Sequence, residues 1–163
     1  MKATTYLPAV AGLALCATGA MAEAPVLQVM TYDSFVSDWG PGPAIEEAFE
    51  AECACDLQFV GAGDGAALLA RLQLEGPRTD ADIVLGLDTN LTAAARETGL
   101  FAPHGVTADL DLPIEWTDAE FLPFDWGYFA FVGNAGADAP ASLQALADSD
   151  TKIVIQDPRS STP

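Results

Sequence analysis

Apolar residues along this chain come in short runs separated by amphipathic stretches, the alternation expected of α/β layering. Residues 26–31 (VLQVMT) predict a strand. After Trp39-Gly40-Pro41-Gly42-Pro43, residues 44–50 set Ala44, Ile45, Ala48 and Phe49 on one helical face, with Pro43 in the first turn, where its missing N–H costs nothing. A second strand is expected over 57–60. Gly61-Ala62-Gly63-Asp64-Gly65 then leads into a helix carrying Leu68, Leu69 and Leu72 on one side and ended by Gly76-Pro77. Residues 81–87 (ADIVLGL) are nearly all apolar, the pattern of a strand buried on both faces of a parallel sheet. Thr89-Asn90 is expected to cap a helix running through Glu97 and stopped at Gly99. Residues 101–123, rich in Pro, Asp and Trp, show no period and predict irregular connection. Beyond them, 126–132 (WGYFAFV) predict an aromatic strand, Ser142 a cap for a helix over 143–147, and 152–156 (KIVIQ) a further strand.

The first residues follow a different logic. Lys2 precedes a small and apolar run over 9–17, and Ala20-Met21-Ala22 has the small-x-small form of a signal-peptidase site, so cleavage after Ala22 is expected. The run is shorter than the roughly 20 residues needed to span a bilayer. Leu15, just before Cys16, is larger than lipoprotein processing accepts.

Composition narrows the classes. Six basic residues stand against twenty-four acidic ones, a formal charge of −18, and such a field repels nucleic acid and anionic lipid. Half the residues are hydrophobic and 18% are charged, which describes a globular chain and not an acidic disordered tail. Cys53 and Cys55 are separated by one residue. They can pair in an oxidising compartment, at the cost of a tight ring, and no accompanying Cys or His cluster argues for metal. His104, in Ala102-Pro103-His104-Gly105, is the only histidine and reads as part of a solvated turn.

Several blocks carry a resemblance. Thr31-Tyr32-Asp33-Ser34-Phe35, Asp38 through Pro43, Cys53-Ala54-Cys55, Asp64-Gly65, Ala81 through Asp88, Pro123 through Phe131 and Gln156 through Pro163 together resemble the periplasmic thiamine-binding proteins of ABC importers. The resemblance implies a two-lobed, type II periplasmic-binding-protein-like α/β fold. On that reading 1–22 is a signal peptide, 23–125 the first lobe, and 126–163 a crossing strand with an incomplete second lobe. Family members are about twice as long, and Ser-Thr-Pro at 161–163 announces a helix, so the chain is expected to be the first portion of such a protein. The implied role is capture of thiamine or a thiamine phosphate in the periplasm for delivery to a membrane permease, with no catalysis, no cofactor and no metal.

Thiamine is a permanent cation, often phosphorylated, and its site needs carboxylate or aromatic surface and N–H donors. Asp64 and Gly65 sit at a strand-to-helix junction, where doubly wound sheets hold ligands. Read from residues alone, Asp64 is first a helix cap, and Ser161 and Thr162 likewise. The resemblance makes all four ligand-binding. Arg159 is a candidate for assisting a phosphate, and Tyr32 and Trp39 are candidate aromatic walls. The competing readings are a ferric or other small-solute binder of the same fold, and an exported hydrolase using Ser160 or Ser161. The hydrolase lacks a Gly-x-Ser-x-Gly elbow and has only His104 as imidazole base. A thiamine-degrading enzyme on this scaffold would need a cysteine aimed into the cleft, which neither Cys53 nor Cys55 is placed to be.

Overall fold

A computed structural model describes residues 24–107 and 109–156. The expected signal peptide, Arg159, and the Ser161-Thr162 pair lie outside the described residues. No helix among the described residues is long and apolar enough to cross a membrane.

Three parallel strands form one sheet, β1 (Val26–Thr31), β2 (Asp56–Gly61) and β3 (Ile83–Val84), in the order β2-β1-β3. Val29 pairs with Phe59 on one side and Ile83 on the other. The helices are α1 (Gly42–Cys53), α2 (Gly65–Glu75), α3 (Thr92–Glu97) and α4 (Leu143–Ala147). This is the expected α/β organisation with a parallel sheet.

Alternation along β1 divides the core in two. Met30 points toward α2 and is buried with Leu68 and Leu72, and Val84, Leu87, Leu100 and Phe101 pack around them. Phe59, paired in register with Val29, meets Phe35 on the other face at 5.2 Å between ring centroids. Phe35 is fully buried and also packs edge-on against Tyr32 and Phe124, at 5.6 Å each. Gly42 donates its N–H to the Phe35 carbonyl, tying the start of α1 to this cluster.

Several elements differ from expectation. The third strand shrinks to Ile83–Val84 because Gly86 at φ 109° turns the chain out of the ladder. Asp88, not Thr89-Asn90, organises the entry to α3, its Oδ1 accepting from the N–H groups of Asn90 and Leu91. The stretches 126–132 and 152–156 form no strand. No neighbouring strand among the described residues offers them a ladder, and Tyr128, Phe129, Val132, Val154 and Ile155 are exposed. An extended segment without a partner leaves its backbone groups to water, whatever its β propensity.

Residues 101–107 and 109–123 follow an irregular path, as expected, but it is a cross-linked one. Arg96 of α3 donates from Nη2 to Asp118 and from Nε to Glu120, both at 2.7 Å, while its guanidinium lies over the Phe121 ring. Trp116 Nε1 donates to the Phe121 carbonyl. His104, expected to be a solvated turn residue, is half-buried and bonded through both ring nitrogens: Nδ1 accepts from the Val106 N–H, so Nε2 donates to the Asp118 carbonyl. An imidazole engaged on both sides is a structural clasp and not a free base.

The Glu120 backbone N–H, then that of Phe121, and the Arg96 guanidinium hold the Asp118 carboxyl below its usual range, against the opposing effect of burial. A depressed carboxylate pKa contributes stability that is complete above the unfolded value of about 4 and is lost as pH falls through the lower folded value. Proteolysis of the 101–121 segment is therefore expected to accelerate below about pH 4. An Arg96→Ala variant should show faster cleavage already at neutral pH, with less dependence on salt, since these pairs are partly exposed and screened.

Candidate functional site

The carboxyl ends of the strands are where a doubly wound sheet presents ligand groups, and three loops converge there. Leaving β1, Asp33 donates its N–H to the Gly63 carbonyl at 2.8 Å, and its Oδ1 accepts from the Gly63 N–H at 2.9 Å. This reciprocal pair locks the β1 exit to the β2 exit. Gly63 adopts φ 83°, a conformation open to glycine at little cost, which lets the chain double back into α2.

Asp64 then caps α2. Its backbone is extended, and Oδ1 accepts from the Ala67 N–H at 2.9 Å. Oδ2 has no protein donor among the described residues. Asp64 is half-buried and Gly65 buried, so the helix start is a partly sheltered corner with one carboxylate oxygen uncommitted. Both the cap reading and the strand-to-helix placement of Asp64 and Gly65 therefore hold.

Tyr32 leaves β1 at the same end of the sheet. Its ring lies against Gly86, where an added Cβ would clash with the ring's Cδ1 and Cε1. Burial, and then the Asp125 carboxylate, push the Tyr32 phenol above its ordinary value. With Phe124 packed edge-on against Phe35, the start of the 124–132 stretch is brought to this part of the sheet. Trp39, the other candidate wall, is 80% exposed. Asp33, Gly86 and Asp125 were not singled out in the sequence. Only Gly86 carried a signal, a lone glycine inside an apolar run that marks a break or a close approach.

The site therefore offers a carboxylate oxygen, a phenol ring beside a second carboxylate, and a helix start. No family model matches the chain. The thiamine-binding periplasmic protein of Escherichia coli (strain K12) is 52% identical over 156 residues, 93% of this chain and 47% of that protein. Its counterpart in Salmonella typhimurium (strain LT2) is 52% identical over 163 residues, 97% of this chain and 49% of that protein. The chain is a homologue of the periplasmic thiamine-binding proteins.

A solved periplasmic thiamin binding protein bears out the fold, with a TM-score of 0.77 at 51% identity over 85% of this chain and 45% of that one. The chain thus spans about half the length of the family members it matches. Its fold is the α/β, periplasmic-binding-protein-like class expected from the sequence, in part, and its homology places it in the periplasm. Among more distant members, the Haemophilus influenzae (strain Rd) protein is 43% identical over 155 residues. Each of these relatives is named as a binding protein.

Proposed function

We propose that this chain supplies one wall of a thiamine-binding site in a periplasmic solute-binding protein that hands its ligand to an ABC permease. The observation that carries the proposal is the uncommitted Asp64 oxygen at the start of α2, at the carboxyl end of the sheet where Tyr32 also leaves β1, in a chain half identical to proteins named for thiamine binding. A thiazolium cation is matched by a carboxylate and an aromatic face. The N–H groups that open α2 suit a phosphate. Ser161 and Thr162, with Gly65, complete the proposed ligand set. Delivery to a permease is inferred from the role of such proteins and not from any surface described above.

Capping and recognition at Asp64 can be separated by side chain. Serine retains a cap acceptor but has no charge, whereas alanine loses both. In a chimera joining this chain to the remaining half of the Salmonella relative, Asp64→Ala is expected to lower stability by about 1 kcal/mol. Asp64→Ser is expected to restore most of that stability. Both variants should weaken thiamine binding by about tenfold or more, the scale of one lost charge-assisted contact. Calorimetric titration with thiamine reads the affinity, and thermal unfolding reads the cap. Wild-type affinity in Asp64→Ser would leave Asp64 with a structural role only.

A further inference from the structure

We propose that the Cys53–Cys55 disulfide is a redox-active site that dithiols open in the folded protein, and not a structural staple. The bond joins residues two positions apart. A cross-link stabilises by restricting the unfolded chain, and that effect grows with the loop it closes. A loop holding one residue restricts very little.

Ala54 supplies the second observation. It terminates α1 at φ 52°, ψ 38°, and is the only non-glycine residue at positive φ among the described residues. Helices often end on a left-handed residue, but glycine usually fills that place because a Cβ is disfavoured there. The closed ring holds an alanine in this conformation, and opening the ring lets it leave. The backbone preference of Ala54 therefore favours the reduced form.

The third observation is where the bond lies. Ala54 is exposed and both cysteines are half-exposed, so a sulfur is open to attack. The turn joins the end of α1 to the start of β2, at the end of the sheet opposite Asp64. The start of β2 has its own anchors: the Asp56 N–H donates to the Pro25 carbonyl at 2.9 Å and the Leu57 N–H to Glu50 Oε1 at 2.8 Å. Opening the bond leaves these anchors and the core in place.

In the exchange, a thiolate of the dithiol attacks one sulfur and forms a mixed disulfide, and the released cysteine sulfur takes up a proton. The dithiol's second sulfur displaces the other cysteine, which is protonated in turn. Two electrons and two protons pass to Cys53 and Cys55, and the reductant leaves as its own disulfide. Glu52 and Asp56 flank the pair and disfavour an anionic monothiol such as glutathione, so a dithiol is the matching class.

The test equilibrates the full chain in graded mixtures of reduced and oxidised dithiothreitol without denaturant. Free thiols are then alkylated and Cys53 and Cys55 read by peptide mass mapping, with circular dichroism recorded in parallel. Both cysteines are expected to be labelled while the spectrum stays that of the folded protein. Ala54→Gly, which removes the left-handed penalty from the closed form, should shift the midpoint about fivefold toward the disulfide. A bond that opens only when denaturant unfolds the chain, or whose opening abolishes the folded spectrum, would overturn the proposal. So would an unchanged midpoint in Ala54→Gly.

Discussion

Replacing Phe35 with alanine is expected to lower the unfolding free energy by about 3–5 kcal/mol, the range for truncating a buried aromatic residue. Phe35 is fully buried and its ring meets Tyr32, Phe59 and Phe124 edge-on, so the lost side chain leaves a cavity bounded by three aromatic faces. The Phe35 carbonyl also receives the Gly42 N–H, which makes relaxation into that cavity difficult without disturbing α1. Phe124→Ala removes only one of those contacts from a half-exposed ring and should cost about 1 kcal/mol. Urea unfolding of the two variants gives the comparison. Equal losses would mean that the cluster is held from the Phe124 side and not by Phe35.

Gly86→Ala should be nearly as damaging, by about 2–4 kcal/mol, from two sources that act together. The backbone there is at φ 109°, a region that residues with a Cβ rarely enter, and the new methyl would overlap the Tyr32 ring. Because Tyr32 must move for the chain to fold at all, the damage should extend to the site. Near-ultraviolet circular dichroism is expected to lose tyrosine signal even under conditions where the variant remains folded. A variant with wild-type stability and spectrum would show that Tyr32 and Gly86 are not tightly apposed.

The difference between these two residues and Asp64 explains which parts were legible beforehand. Asp64 caps α2 and Ser142 caps α4 through hydrogen bonds three residues away, and such short-range chemistry is visible in a string of letters. The strands β1 and β2 were likewise readable from their apolar runs. Phe35 belonged to a recognisable motif, yet nothing local says that it sits beneath Phe59 and Phe124, because that depends on how distant segments come together. Gly86 was hidden inside a run that read as continuous strand, and its reason for being glycine lies 54 positions away at Tyr32. The aromatic run 126–132 misled for the opposite cause. Its composition suits a strand, but a strand exists only beside another, and none lies alongside it among the described residues. The pairing of Cys53 with Cys55 was open because the same spacing suits free thiols. The proposed roles of Ser161 and Thr162 rest on resemblance alone.

The sheet order has a consequence in time. The strand that occurs first in the chain, β1, ends at the centre, with its partners 30 and 54 residues further on, at Phe59 and Ile83 for Val29. Each pairing must close a long loop before it is rewarded, so assembly should be slow compared with that of a helical bundle of similar size. During synthesis β1 has no lateral partner until β2 exists, and the sheet remains a strand short until Ile83 and Val84 have been made. For a protein that works on the far side of a membrane from the ribosome, late closure lengthens the interval in which the chain is still thin and extensible enough to be threaded across.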